Sequence, residues 1–365
     1  MPNSIRLAIA GVGNCCSSLI QGLTFYGSQA TRGGLMEEKI GDWAPSDVEP
    51  VAAFDVDSRK VGKPLSEAIF SEPNCARVFQ EKLPVSPVTV QMGPVLDGVA
   101  PHLDKFPVGE RCLVADKPSV DVAKVLKETG AQVLVCYLPV GSEKAVKHYA
   151  QACLDAGVAF VNCVPVFIAS DKEWAKRFRD AGVPIIGDDI KSQLGATILH
   201  RAVARLFDQR GIGLRRTYQL NTGGNTDFLN MLDHSRLSSK KVSKTQSVQS
   251  QLDEPLTAGD IHIGPSDYVS WQNDNKVAFI RLEGQGFGDQ AIELEMRLSV
   301  QDSPNSAGVV IDAIRCARLA SERGLGGPIL APSSCYMKSP PEQFHDSVSY
   351  DKNIEFMKGP VKTEC

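Results

Sequence analysis

The first 190 residues alternate short apolar, β-branched runs with amphipathic stretches, and this alternation restricts the fold more than any other feature. The runs are IRLAIAG, PVAAFDVD, VTVQMG, AQVLVCYLPV, GVAFVNCVPV and GVPIIGDD. Each is apolar nearly throughout, as a strand covered on both faces must be. Segments such as SEKAVKHYAQACLDAG lie between them and carry a helical period. Strands alternating with helices predict an α/β chain with a Rossmann-type, doubly wound parallel sheet.

From about residue 215 the rhythm changes. In AIELEMRLSV, Ile292, Leu294, Met296, Leu298 and Val300 alternate with Glu293, Glu295, Arg297 and Ser299. That is the period of a half-buried antiparallel strand. KVAFIRLEG precedes it, and the intervening GQGFGDQ predicts a hairpin. SPNSAGVVIDAIRCARLASERG then reads as a long helix, capped at Asn305 or Ser306 and stopped at Gly324. Its character returns the chain to the first domain. The expected division is a Rossmann domain from 1–196 and 303–365, with 197–302 an inserted α+β domain carrying a largely antiparallel sheet.

Composition narrows the function. The 365 residues are 42% hydrophobic and 22% charged, as in an ordinary soluble globular protein. A formal net charge of −4 gives no reason to expect nucleic-acid or membrane binding. No run approaches the ~18 apolar residues of a membrane span, and a first strand beginning at Ile5 leaves no room for a signal peptide. None of the ten cysteines forms a CxxC pair, and Cys136 and Cys163 sit inside apolar runs. Buried thiols in a reducing cytoplasm are expected.

Three features carry chemistry. Gly11-Val12-Gly13 follows a strand and opens a helix, where bare N–H groups and the helix dipole can hold a pyrophosphate. Cys16 stands in place of the third glycine, and Asp55 ends the next strand, where a carboxylate would accept from ribose hydroxyls. Asp55 would also repel a 2′-phosphate, which favours NAD over NADP, although Arg59 lies nearby. In GVPIIGDDIKSQLGATILHRAVARLF a strand ends at Gly187, Asp188, Asp189 and Lys191 follow, and Ser192 or a neighbour starts a helix. The N–H groups of Ser192, Gln193 and Leu194 would then point at a second anion. In SSKKVSKTQSVQSQ, a helix would stack Lys240 over Lys244 on one face and turn Lys241 to solvent. By itself this run reads first as a solvated helix face. Asp227, Asp274 with Lys276, Asp302 and Lys338 recur downstream in turn-like contexts.

With these residues in order, the sequence resembles the myo-inositol-1-phosphate synthase family, nearly end to end, in its short bacterial and archaeal form. GGNTD resembles the family's GNND, SKKVSK its SKEISK, NDNKVAF its GDSKVAM, QDSPNSAGVVID its EDSLLATPLIID, and CYMKSPP its SYWLKAP. GDDIKSQLGAT stands for its D-x-K-S-G-Q-T loop. The resemblance implies a cytoplasmic homotetramer that uses bound NAD to turn glucose 6-phosphate into 1D-myo-inositol 3-phosphate. It implies oxidation at C5, enolisation at C6, aldol closure onto C1 and reduction. A cation, of identity left open, is a further possible cofactor.

The resemblance also distributes roles. Lys240, Lys244, Lys276, Lys338, Asp227, Asp274 and Asp302 match catalytic positions. Lys191, Ser192, Gln193, Leu194 and Asn225 fall to the substrate phosphate. Gly11, Gly13, Asn14, Asp55, Asp189, Ser303 and Ser306 fall to the cofactor. Thr226 departs from the second Asn of GNND, and Gln193-Leu194 from the Gly-Gln of the phosphate loop. The rival reading is a net NAD(P)-dependent dehydrogenase of a phosphorylated sugar, which would not need so many lysines.

Overall fold

The computed structural model describes residues 4–28, 33–236 and 238–359. The six apolar runs form β1 (Ile5–Ala10), β2 (Val48–Asp55), β3 (Val90–Met92), β4 (Val133–Cys136), β5 (Ala159–Asn162) and β6 (Pro184–Ile186). They lie in one seven-stranded sheet of order β3-β2-β1-β4-β5-β6-β11, where β11 is Gly327–Pro328, and every pairing in it is parallel. This is the doubly wound order, and the direction of winding reverses between β1 and β4.

Both faces of this sheet are covered, as its apolar strands require. On one face α1 (Asn14–Ser28), α2 (Leu65–Ala68), α9 (Asp302–Glu322), α10 (Leu330–Tyr336) and α11 (Asp346–Lys358) share a core with Ile5, Leu7 and Ile9. On the other, α3 (Val122–Glu128), α4 (Glu143–Ala156) and α5 (Lys172–Asp180) pack on Ala8, Leu134 and Phe160. α9 therefore rejoins the first sheet. It begins at Asp302 rather than at Asn305 or Ser306, because its N-terminus is capped from a distance. The Asp274 carboxylate accepts from Ser303 N at 3.0 Å. Gly324, at φ +65°, follows the helix end as read.

The smaller sheet holds β7 (Gly213–Gly223), β8 (Ile261–Tyr268), β9 (Asn275–Gln285) and β10 (Ala291–Gln301) in the order β10-β9-β7-β8. β9 and β10 form the expected antiparallel hairpin, and β7 is antiparallel to β9. β8 joins β7 in parallel, so the sheet is mixed. Ile292, Leu294, Met296 and Leu298 face the core made with α6 (Ala196–Gln209) and Val248 of α8 (Ser238–Gln249). α7 (Thr226–Asn230) follows β7 directly.

Candidate active site

One cleft takes its walls from both sheets. Gly11 leaves β1 at φ +94°, and a Cβ there would stand 2.9 Å from Tyr137 O at the end of β4. Only glycine accepts both constraints. Gly13 differs, because a Cβ added to it would meet nothing within 4 Å. It faces open cleft, so packing within the chain does not explain its bare backbone.

The cleft wall fits a dinucleotide at this point. The first-turn N–H groups of α1 have no intrahelical partners, and Asp55 stands beside them. Its Oδ2 accepts from Val12 N at 2.7 Å, and its Oδ1 from Val56 N and Asp57 N at 2.7 and 2.8 Å. Arg59 is engaged elsewhere, donating to Asp57 Oδ2 and to the carbonyls of Val108 and Arg111 at 2.6–2.9 Å. It offers no ready partner for a 2′-phosphate. The Tyr137 hydroxyl is a buried polar group without a hydrogen-bond partner. Asn14 turns its carboxamide oxygen into the wall, onto Cys75 N and Ala76 N at 2.6 and 2.9 Å. Cys15 lies among these groups, and burial pushes its thiol up to about 12.

The opposite end of the cleft is built from charged pairs. Lys276 Nζ, on β9, stands 3.2 Å from Asp302 Oδ1 at the start of α9 and 5.9 Å from the centroid of the Phe228 ring. Lys338 Nζ lies 2.7 Å from Asp189 Oδ1, whose Oδ2 accepts from Ser243 Oγ at 2.7 Å. Lys244 and Asp227 line the same cavity. Lys244 is 7% exposed while Val242 is 42% exposed, so α8 does turn its Lys244 face inward. The side chains of Lys240 and Lys241 lie outside the described residues.

Asp274 is not in the cleft wall with these pairs. It is buried, and its Oδ1 accepts from Asn225 Nδ2 at 2.9 Å and from Ser303 Oγ at 2.8 Å. Burial raises its carboxyl to about 6, and the neighbouring Asp302 adds to the rise. Asn225 is occupied at both ends, since its Oδ1 also caps α7 through Asp227 N and Phe228 N. Ser306 Oγ donates to Ser303 O at 3.0 Å, behind Cys15. Asp274 thus holds the cleft-lining Asn225 and Ser303 from behind. Lys276 pairs with Asp302 and not with Asp274, two positions before it.

The anion loop also differs from its sequence reading. α6 begins at Ala196 with Gly195 as an N-cap that carries no side chain, four residues later than Ser192. Gln193 N and Leu194 N are not free, because Asn305 O and Asn305 Oδ1 accept from them at 2.9 and 3.1 Å. The groups left to receive an anion include the first-turn N–H groups of Ala196, Thr197 and Ile198, all three of which line the cleft beside Ser192. Gly195 is the residue that turns the chain into α6. Its position just ahead of the apolar period ATILHRAV was the available signal. Lys191 points away from the cleft, and this corrects its reading as a phosphate ligand. Its buried ammonium donates to Ser334 O and Cys335 O at 2.9 and 3.2 Å and faces Asp346 Oδ1 at 3.5 Å. Burial, aided by Arg201, lowers it to about 8. Among the described residues no group of three or more His, Cys, Asp or Glu side chains is arranged to hold a metal ion.

Known proteins are similar to this chain in sequence and in fold. The myo-inositol-1-phosphate synthase family model matches residues 195–303, which include Lys244 and Lys276. The chain is 56% identical to the inositol-3-phosphate synthase of Mycolicibacterium smegmatis, covering 97% of this chain and 98% of that one. The chain belongs to the inositol-3-phosphate synthase family. The inositol-3-phosphate synthase of Corynebacterium glutamicum is 53% identical over 97% of this chain and 98% of its own length. The crystal structure of Ari2 superposes with a TM-score of 0.78 at 36% identity, covering 97% of this chain and 98% of that one. The inositol-3-phosphate synthase of Caenorhabditis elegans, at 16% identity and a TM-score of 0.78, shows the same fold.

Proposed function

We propose that this synthase-family chain converts D-glucose 6-phosphate to 1D-myo-inositol 3-phosphate, with NAD used and regenerated in each turnover. The observation that carries the reading is the convergence of distant motifs on one cleft. Lys244, Lys276 and Lys338, from three separate segments, line it together with Asp189 and Asp302. NAD, when bound, supplies a hydride acceptor for C5 and returns the hydride at the end. Gly11, Gly13 and Asp55 would hold it, and the engaged Arg59 favours NAD over NADP.

The chain's own residues do the rest. The Ala196–Ile198 N–H groups would take the substrate phosphate, leaving the sugar against the lysines. Enolisation develops negative charge on the C5 oxygen, and aldol closure develops it on the C1 oxygen. Ammonium groups held by carboxylates in a closed site stabilise such charge without reorganising. Lys276 with Asp302, and Lys338 with Asp189, are each within proton-transfer distance of their partner. Each pair can therefore take up and return a proton during the sequence.

The inserted segment 197–302 would form the catalytic domain and the homotetramer contacts, and 1–196 with 303–365 would form the cofactor domain. A cytoplasmic location belongs to the same proposal; among the described residues no helix is long and apolar enough to cross a membrane. Incubation with glucose 6-phosphate and catalytic NAD, followed by NMR, tests the reaction. Inositol 3-phosphate should accumulate without net NADH. Stoichiometric NADH with an oxidised sugar phosphate would establish the dehydrogenase instead.

A further inference from the structure

We propose that Asn305 is a positioning residue that fixes the phosphate-binding turn relative to the catalytic pair before substrate arrives. The proposal rests on the functional reading above. Asn305 lies three residues beyond Asp302, within the first turns of α9. Its side chain holds both backbone polar groups of one residue of the opposing loop, with Oδ1 accepting from Leu194 N at 3.1 Å and Nδ2 donating to Leu194 O at 2.8 Å. Its backbone oxygen accepts from Gln193 N at 2.9 Å. A second arm leaves the same loop, where Gln193 Nε2 donates to Gly34 O at 2.8 Å. Gly308, one helical turn after Asn305, makes room for that arm, since a Cβ there would sit 2.8 Å from Gln193 Cδ.

The consequence is mechanical. The first turn of α9 carries Asp302, which pairs with Lys276, and Ser303, which bonds Asp274. The same turn now also holds residues 193–194, which lead through Gly195 into the uncapped start of α6. The phosphate donors and the catalytic carboxylate are thereby referred to one rigid helix. Without the clamp, a loop containing a glycine would have to be ordered by substrate. That ordering would be charged against binding.

Asn305→Ala removes both side-chain bonds and leaves the core face of α9 intact. It should raise KM for glucose 6-phosphate by about tenfold while kcat and NAD affinity change by less than about threefold. In the NAD-bound enzyme without substrate, amide hydrogen exchange across 193–198 should accelerate, with exchange in the rest of α9 unchanged. Gly308→Ala, which displaces the Gln193 arm, should move both readouts in the same direction and less far. An unchanged KM with unchanged exchange would overturn the proposal. So would parallel losses of glucose 6-phosphate and NAD affinity, which would mark a general loosening of α9. If the parent enzyme made no inositol phosphate, the functional reading would fail instead, and hydrogen exchange would still decide whether the clamp exists.

Discussion

At the scale of single residues, packing partners decide whether a charged side chain reaches the cleft. Lys276 faces the cavity with Asp302 at 3.2 Å, while Lys191, equally basic, is enclosed by Ser334, Cys335 and Asp346. Losing one preorganised donor to a developing oxyanion typically costs roughly 10²–10³-fold in turnover, and Lys276→Ala is expected to lose that much in kcat. NAD affinity, measured by titration, should be unchanged, because Gly11, Gly13 and Asp55 lie at the other end of the cleft. A rise in KM alone would make Lys276 a phosphate anchor. Lys191→Met should behave in the opposite way. It leaves Ser334 O and Cys335 O without their buried donor, so the thermal midpoint should fall. KM for glucose 6-phosphate should stay within about twofold in the folded enzyme. A large KM increase at unchanged stability would restore Lys191 to the phosphate site.

At the scale of elements, α6 is the joint between the sheets, and polar contacts set its seat. His200, fully buried on α6, meets Thr217 Oγ1 at 2.7 Å and Gln219 Oε1 at 3.3 Å on β7. Arg201 beside it binds Asp346 of α11 and Ser247 O of α8. Burial lowers His200 to about 4 from an ordinary value of 6.5. Between those values the unfolded chain binds a proton that the folded one does not. Folding stability contributed by neutral His200 is therefore full above pH 6.5 and is lost as pH falls toward 4. The slope from this group approaches about 1.4 kcal/mol per pH unit inside the window. His200→Gln keeps hydrogen-bonding capacity and cannot titrate. Its urea-derived stability should converge on that of the parent protein, or pass it, on acidification through the window. Parallel profiles would mean that His200 is not held neutral.

At the scale of the whole molecule, α9 joins the parts. Val309, Val310, Ile311, Ile314 and Cys316 are buried against α1 and the first sheet, while Asp302 and Ser303 line the cleft. Removing everything after Val300 should therefore abolish NAD binding or soluble folding. A soluble truncated protein with ordinary NAD affinity would place the domain boundary elsewhere. The sequence by itself determined the six parallel strands, the β9–β10 hairpin, the glycine turn after β1 and the set of lysines and aspartates. Each follows from a local period or an ordered motif, which a single chain displays. The tertiary structure alone decided the parallel docking of β8, the free N–H groups at α6 rather than at Gln193 and Leu194, the inward turn of Asp274 and the burial of Lys191. The last three outcomes depend on Asn305, Ser303 and Asp346, which lie 29 to 155 residues away along the chain. A hydrogen bond goes to whichever group the packed elements bring within 3.5 Å, and no local spacing encodes that distance.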